Sequence, residues 1–166
     1  MVTALIAKQA LYENMASYCR GIDRKDLELV KSTFWPESTD DHGSFVGLSH
    51  DFCTEAFEAQ KVSSHKASHY ISNMLVELDG EQAKRETAFI YIKVPTDGAA
   101  VDLLCGRYRD LCERRDGEWK VLSRTCIWDL AQRLNPESDY AELFGIPPSS
   151  NFGALYPHDP IYAERW

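Results

Sequence analysis

Two side chains of this sequence, Asp23 and His69, have the types that proton transfer requires. Imidazole takes up or delivers a proton near neutral pH, because its ordinary pKa is about 6.5. A carboxylate on one ring nitrogen fixes the tautomer and stabilises the imidazolium, so the other nitrogen can face a substrate. Only the tertiary fold can bring these two residues together. Taken alone, Asp23 could also cap a helix, and His69 could be an ordinary hydrogen-bonded histidine.

Three further side chains, Tyr18, Tyr108 and Arg124, could hold a substrate oxygen. Arg124 shares a predicted strand face with apolar neighbours, where an arginine needs either a partner or a ligand. A salt bridge to Asp23 or Asp129 would meet that need as well as a ligand would. The two tyrosines could donate a hydroxyl to a substrate, although filling the core is the alternative for Tyr108.

Other groupings of reactive residues do not indicate a site. His65 and His69 are four residues apart, but the H-E-x-x-H pattern is absent and the hydrophobic period changes between them. The Asp-Asp-His string at 40–42 is predicted to be a solvated loop. The sequence contains no nucleophile elbow, phosphate-binding glycine loop or dinucleotide fingerprint. We therefore infer no cofactor and no metal ion.

The composition is that of one compact domain. The chain has 166 residues, of which 44% are hydrophobic and 27% charged, enough for a single core. A net charge of −8 with no basic cluster argues against nucleic acids and anionic membranes as partners. No apolar stretch is long enough to span a bilayer, and the N-terminus does not resemble a signal peptide. With five cysteines and no C-x-x-C spacing, we expect reduced thiols in a cytoplasmic protein.

Helical patterns occupy the N-terminal third of the chain, and strand patterns follow. Apolar spacing predicts a first helix at 3–20, which Gly21 interrupts, and a second helix that begins at Asp23 and ends at Pro36. A polar, turn-rich segment follows at 37–47. A third helix is predicted from 48 to about 67. Period-two alternation predicts four strands, at 68–79, 81–94, 100–114 and 118–130. Helices before an antiparallel meander make an α+β domain, here residues 1–130. Residues 131–166, rich in proline and aromatic side chains, are predicted to pack on the same domain.

Strand alternation predicts which side chains face a cavity. His69, Ile71, Asn73 and Leu75 share one parity on the first long strand. A face with histidine and asparagine among apolar residues suits a cavity lining better than a solid core. Asn73 is therefore predicted to bind substrate, together with Trp128, which shares a face with Arg124 on the last strand.

Several strings resemble the SnoaL-like, or nuclear-transport-factor-two-like, superfamily. They are Y-C-R-G-I-D at 18–23, H-Y-x-x-N at 69–73, G-R-Y-R-D at 106–110, and E-R-R-D-G-E-W at 113–119 with Arg124 five residues later. Together they cover roughly residues 5–130 and resemble the branch that contains scytalone dehydratase, hexachlorocyclohexane dehydrochlorinase and a bile-acid dehydratase. The resemblance implies a cone-shaped α+β barrel, in which N-terminal helices pack in a strongly curved antiparallel sheet around a cavity.

The resemblance also implies residue roles and a function. Carried over by position, Asp23 and His69 form an acid–base dyad, Tyr18 lies near a leaving group, and Arg124 lies across the cavity. We therefore expect a cofactor-independent lyase for a small hydrophobic, aromatic hydroxylated substrate, acting by dehydration or by retro-aldol release of a small aldehyde. The alternatives are a ketosteroid-type isomerase and the non-catalytic small subunit of a ring-hydroxylating dioxygenase. The resemblance favours a homotrimer over a dimer.

Overall fold

The computed structural model describes residues 2–62, 65–95, 100–134, 147, 155–158 and 162. Its helices and strands are α1 Val2–Arg24, α2 Leu27–Ser32, β1 Phe34–Asp41, β2 Val46–Leu48, α3 Ser49–Val62, β3 His65–Asp79, β4 Gln82–Pro95, β5 Val101–Arg115 and β6 Glu118–Leu134. The strands form one sheet in the order β2-β1-β6-β5-β4-β3. β1 runs parallel to β6, and the other neighbours are antiparallel. No helix of the described ranges is long and apolar enough to cross a bilayer.

The core lies between the helices and one face of the sheet. α1 packs on β3 and β6, and α3 packs on β1. The largest buried apolar side chains come from both layers: Leu11, Met15, Tyr18, Ile22, Phe34, Phe57, Phe89, Tyr108, Trp119 and Val121. The predicted α+β class, with helices against a curved sheet, is confirmed. The sheet differs from the prediction in being mixed rather than purely antiparallel, in having six strands, and in not closing into a barrel.

The end of α1 differs from the sequence prediction in two ways. The helix continues through Gly21, where an added β-carbon would lie only 2.8 Å from the backbone nitrogen of Val30. This glycine therefore permits close packing of α1 on α2 and does not end the helix. Asp26, not Asp23, caps α2, because its side chain accepts a hydrogen bond from the Leu29 backbone N–H at 3.1 Å. The Asp23 carboxylate is left for another partner.

The segment predicted as a helix end and a polar turn contains two strands joined by a turn. Pro36 lies inside β1, residues 42–45 form the predicted turn with Gly43 at a φ of 80°, and β2 begins at Val46. Pro36 is tolerated because the pairing of β1 with β6 is interrupted between Phe34 and Thr39, so the ladder needs no N–H there. Asp40 is consequently a buried strand residue and not part of a solvated loop.

A bulge in β3 changes which side chains face inward. The pairing with β4 shifts register between Ile71 and Met74, where β3 contains one extra residue. Beyond the shift, Met74 packs on the core and Leu75 is exposed. The predicted common face of His69, Asn73 and Leu75 is therefore wrong past Ile71, because one inserted residue moves the following side chains to the opposite face. Asn73 lies within the bulge and is exposed.

The prediction for the C-terminal segment falls mostly outside the described residues. β6 extends to Leu134, four residues further than predicted. Beyond it, the backbone N–H of Tyr156 donates to the carbonyl oxygen of Arg24 at 2.5 Å, at the C-terminal end of α1. The packing of residues 131–166 as a whole, and the domain boundary at 130, stay predictions.

Candidate active site

Asp23 and His69, the predicted acid–base pair, are in direct contact. Asp23 Oδ1 lies 2.6 Å from His69 Nδ1, and Asp23 Oδ2 accepts a hydrogen bond from the His69 backbone N–H at 2.7 Å. The packing of α1 on β3 closes a sequence separation of 46 residues. The two side chains are only 9% and 10% exposed. Because the carboxylate engages Nδ1, Nε2 is the ring nitrogen available for exchanging a proton with a bound molecule.

Aromatic rings surround the His69 imidazole. The ring centre of Tyr91, its partner residue on β4, lies 4.4 Å away, and those of Phe89 and Tyr18 lie 6.1 Å and 6.5 Å away. Burial raises the pKa of Tyr91 to about 12, so its phenol stays protonated near neutral pH. The His69 imidazole therefore lies beside a largely apolar, uncharged wall that suits an aromatic ligand.

An open pocket of about 510 Å³ reaches this wall at Tyr91. Its lining comes from the ends of β4, β5 and β6: Tyr91, Lys93, Asp102, Leu104, Ala131, Gln132 and Arg133. A volume of this size is typical of sites for small organic molecules. The described residues thus outline an open pocket beside the dyad, where the sequence predicts an enclosed cavity.

A row of alternating charges crosses the inner face of the sheet. The register pairs Arg85 of β4 with Asp110 of β5, Asp110 with Arg124 of β6, and Arg124 with Asp40 of β1. All four residues are buried. Opposite charges on neighbouring strands stabilise one another, and buried guanidinium groups require such partners.

Asp110 is the centre of this row. It accepts hydrogen bonds from Arg124 Nε at 2.8 Å and from Arg85 Nη2 at 2.6 Å. The Arg124 salt bridge is therefore with Asp110 and not with Asp23 or Asp129, the two partners that the sequence suggests. Burial favours the neutral carboxyl, but the charges of Arg124 and Arg85 outweigh burial and hold the pKa of Asp110 below its ordinary value.

The Arg124 guanidinium lies against two tyrosine rings. Its central carbon is 4.2 Å from the ring centre of Tyr18 and 4.3 Å from that of Tyr108. Burial raises the pKa of both phenols well above the ordinary value. Burial alone would lower the pKa of Arg124, but Asp110 outweighs it and the pKa is raised. Arg124 Nη1 is buried without a partner among the described residues, so this N–H group can donate to a bound oxygen.

A second carboxylate–imidazole pair, which the sequence prediction missed, lies at the end of β1. His42 Nδ1 contacts Asp40 Oδ1, and the two side chains are 10% and 0% exposed. Residues two apart point to the same face of a strand, so the D-x-H spacing carried a usable signal. The sequence prediction does not use this signal, because it treats the segment as a solvated loop.

The two imidazoles lie at opposite ends of one group of rings. The rings of Phe89 and Tyr108 stack with centres 4.4 Å apart. His69 lies 6.1 Å from Phe89, and His42 lies 6.1 Å from Tyr108. The strand order places β3, which carries His69, and β1, which precedes His42, on opposite sides of β4 and β5. Each ring of the stacked pair therefore lies near one of the two imidazoles.

Trp128 lies at the edge of this group. Its indole Nε1 donates to the His42 carbonyl oxygen at 3.3 Å, and its ring centre is 5.8 Å from that of Phe89. Contacts thus connect six of the seven predicted site residues: Tyr18, Asp23, His69, Tyr108, Arg124 and Trp128. The seventh, Asn73, points outward from the β3 bulge. The sequence prediction missed Asp40, His42, Arg85 and Asp110.

Residues 3–125 match the family model of the SnoaL-like domain. No curated protein matches the chain. The match extends from α1 into the first half of β6, so it includes all residues of the Asp23–His69 contact and of the charged row.

Solved structures of this shape include enzymes and a subunit of a larger enzyme. A proposed scytalone dehydratase from Novosphingobium aromaticivorans superposes with a TM-score of 0.71 at 20% identity, covering 82% of this chain and 97% of that one. A type 2 hexachlorocyclohexane dehydrochlorinase gives 0.75 at 18%, covering 90% and 99%. The beta subunit of a proposed aromatic-ring-hydroxylating dioxygenase from N. aromaticivorans gives 0.66 at 22%, covering 78% and 94%. At these identities the likeness is one of fold.

Proposed function

Since the chain belongs to the SnoaL-like domain family, we propose that it is a cofactor-independent lyase in which His69 is the general base. The observation that carries the proposal is the 2.6 Å contact between Asp23 Oδ1 and His69 Nδ1. Asp23 holds the ring in one tautomer, with Nε2 directed away from the carboxylate. The same carboxylate also accepts a hydrogen bond from the His69 backbone N–H, which fixes the imidazole relative to α1.

The proposed reaction is an elimination of water. His69 Nε2 removes a proton from a carbon next to an activating group, and Asp23 stabilises the resulting imidazolium. The electron pair of the C–H bond forms a double bond while the neighbouring C–O bond breaks. Arg124 Nη1 and the phenols of Tyr18 and Tyr108 donate to the oxygen on which negative charge develops. The imidazolium then returns its proton to the departing hydroxide, which leaves as water.

The substrate class follows from the surroundings of His69. The neighbouring rings of Phe89 and Tyr91 and the pocket beside Tyr91 suit a small, hydrophobic, aromatic hydroxylated compound. The names of two proteins of this shape, a dehydratase and a dehydrochlorinase, both describe eliminations and favour one here. Deprotonation of a hydroxyl instead of a carbon would give retro-aldol release of a small aldehyde with the same groups.

Two other functions have support. A ketosteroid-type isomerase would use the same base and return the proton elsewhere, so the mass of its product would equal that of its substrate. A non-catalytic dioxygenase subunit is favoured by the fold shared with a dioxygenase beta subunit. Such a subunit has no need of the Asp23–His69 pair, which is why the lyase is preferred.

We propose further that the protein is a cytoplasmic homotrimer assembled through the outer face of its sheet. One row of register there carries apolar side chains on four neighbouring strands, namely Tyr70, Ile90, Cys105 and Leu130. The two aliphatic residues and the tyrosine are exposed, as expected of an interface. The five free thiols suit a reducing compartment. Sedimentation velocity should give three times the chain mass; a monomer would contradict the assembly.

The lyase proposal is tested with a tetralone that carries a hydroxyl β to its ketone, here called β-hydroxytetralone. Loss of water from it gives naphthol, which is followed by fluorescence. We expect EDTA-dialysed protein to form naphthol and His69→Gln to lower kcat by about 100- to 10,000-fold. His158→Gln, which replaces an exposed histidine, is the matched control and should retain activity. A folded His69→Gln protein with undiminished turnover would show that the base has been assigned wrongly.

A further inference from the structure

We propose that Asp40 and His42 form a second acid–base pair of the same site, which protonates the departing oxygen while His69 takes the proton from carbon. This inference rests on the lyase function proposed above and divides its two proton transfers between two imidazoles. No catalytic role for His42 follows from the family resemblance, whose motifs do not include residues 40–42.

The His42 ring is held as a functional side chain would be. It is as little exposed as the ring of His69, and it stacks on Phe52 with centres 4.0 Å apart. Its backbone N–H donates to the carbonyl oxygen of Phe45 at 2.9 Å, and its own carbonyl accepts from Trp128 Nε1. Packing and hydrogen bonds thus fix the position of His42, although it lies just beyond a strand end.

Both imidazoles border the same open side of the sheet's inner face. Tyr91, next to His69, lines the pocket, and Trp128, next to His42, is 47% exposed. The register places Trp128 opposite Gly106, two residues along β5 from Leu104, which also lines the pocket. A molecule entering beside Tyr91 and extending toward Trp128 would therefore pass one imidazole and approach the other.

The charged groups beside Asp40 and His42 are paired across the sheet. The guanidinium groups of Arg85 and Arg124 both bind the Asp110 carboxylate, and Asp40 lies opposite Arg124 in the register. The thiols in this region stay neutral, because burial raises the pKa to about 12 for Cys19, Cys53 and Cys126. The proposed step requires a neutral imidazole as the base and a protonated one as the acid.

Two buried polar atoms near His42 are available to bind a substrate oxygen. Asp40 Oδ2 and Arg124 Nη1 are both buried without a partner in the part of the chain that the structure describes. Their residues are opposite each other in the β1–β6 register. A substrate oxygen between them would receive a hydrogen bond from Arg124 and, if protonated, donate one to Asp40, which lowers the cost of leaving both groups buried.

The proposed step conserves atoms and charge. Neutral His69 takes the proton from carbon, and the C–H electron pair becomes the new double bond. As the C–O bond breaks, the His42 imidazolium transfers its Nε2 proton to the oxygen, and water is released. His69 ends protonated and His42 neutral, so the site keeps its total charge and returns to its first state by exchanging a proton with solvent.

The test compares two leaving groups. β-Acetoxytetralone gives the same naphthol as β-hydroxytetralone, but acetate departs as a stable anion that needs no proton. We expect His42→Gln to lower kcat/KM by about 100-fold or more with the hydroxy compound. The factor by which kcat/KM falls with the acetoxy compound should be at least about ten times smaller. His69→Gln should lower both values equally, because both reactions begin with removal of the same proton.

The outcomes distinguish failure of the second acid–base pair from failure of the proposed lyase function. Equal losses of His42→Gln on the two compounds overturn the second acid–base pair and leave the lyase standing, provided that His69→Gln shows its expected large loss on both. Undiminished activity of a folded His69→Gln protein contradicts the assignment of His69 as the base, and failure of the wild-type protein to form naphthol contradicts the lyase itself.

A binding measurement decides the question without turnover and in the unmodified protein. Naphthol is titrated into nitrogen-15-labelled wild-type protein while the imidazole Nε2 resonances are recorded. Shifts at both His42 and His69 are expected, with no shift at His158. A shift confined to His69, or absent from both, overturns the proposal that the two imidazoles face one ligand.

Discussion

The molecule contains two carboxylate–imidazole pairs that the chain builds in different ways. Asp23 and His69 are 46 residues apart and meet where α1 packs on β3. Asp40 and His42 are two residues apart and meet at the end of one strand. Asp23 binds both the ring and the backbone of His69. Asp40 contacts the ring of His42, and its second buried oxygen has no partner among the described residues. The long-range pair thus holds the His69 imidazole with two hydrogen bonds to one carboxylate. The position of the local pair, Asp40 and His42, depends instead on the surrounding sheet.

The charged row is the part of the sheet on which the local pair depends. Asp40 is its last member, opposite Arg124, and Arg124 is itself held by Asp110. Asp23 is not a member of the row, because it belongs to α1. Perturbing the row should therefore act on His42 more strongly than on His69.

The largest expected effect on activity distinguishes the two carboxylates directly. Asp23→Asn should lower kcat by about 100- to 10,000-fold on both tetralones, because an amide cannot stabilise the imidazolium of the base. Asp40→Asn should lower kcat chiefly for the hydroxy compound, because only its leaving group needs a proton from the His42 acid. Steady-state kinetics on proteins with matching circular dichroism measure both. Equal losses of the two variants on β-acetoxytetralone would remove the distinction between the pairs.

The largest expected effect on stability is at Asp110, which supports both guanidinium groups. Asp110→Asn leaves the buried Arg85 and Arg124 without their shared counter-ion and should lower the free energy of unfolding by about 3–5 kcal/mol. The control is Asp129→Asn, which removes an exposed carboxylate from Arg107 and should cost less than about 1 kcal/mol. Urea denaturation measures both; similar losses would mean that the buried row contributes no more than a surface pair.

The same variant has a pH dependence of known sign. The Asp110 pKa is lower in the folded protein than its ordinary value, so protonation weakens the fold. Its contribution to stability is complete above the ordinary aspartate pKa of about 3.9 and is lost as the pH falls through the lower folded value. The stability difference between wild type and Asp110→Asn should therefore shrink on acidification below that range. A difference that grows as the pH falls would contradict the direction of the shift.

The strands that follow α3 could be predicted well, because local signals define them. Alternation and turn residues place β3 to β6 within three to four residues of the observed ends. β1 could not be found in this way. It contains Pro36 and few apolar residues, and its partner β6 lies far along the chain and runs parallel to it. The bulge before Met74 is equally hidden, since an alternating pattern does not show where a register shift occurs.

The site residues could be predicted to different extents for similar reasons. The placement of Asp23 beside His69 is tertiary, so family resemblance indicated it and spacing did not. Arg85 did carry a local signal, because it alternates in step with the buried Thr87 and Phe89. A charge on a buried face predicts a buried partner, which is Asp110. Neither this signal nor the D-x-H spacing at the end of β1 enters the sequence prediction.

The smallest expected effect concerns the hydrogen bond that holds the His42 backbone. Trp128→Phe keeps an aromatic ring near Phe89 but removes the indole N–H that donates to the His42 carbonyl at 3.3 Å. A neutral hydrogen bond contributes about 1 kcal/mol, so we expect about a fivefold loss of kcat/KM on β-hydroxytetralone. The acetoxy compound should show the smaller loss, because the bond positions the acid and not the base.

Trp35→Phe is a matched control for that small effect. The Trp35 indole donates to the Glu113 carbonyl at 3.1 Å, a bond of the same kind, and its ring lies beside Arg115 and Lys120 rather than the two imidazoles. Both variants lose one indole hydrogen bond to a backbone carbonyl, so their stability losses in urea should be similar. Only Trp128→Phe should discriminate between the two leaving groups. If Trp35→Phe discriminates as well, the selectivity reflects general loosening of the fold and not the position of His42.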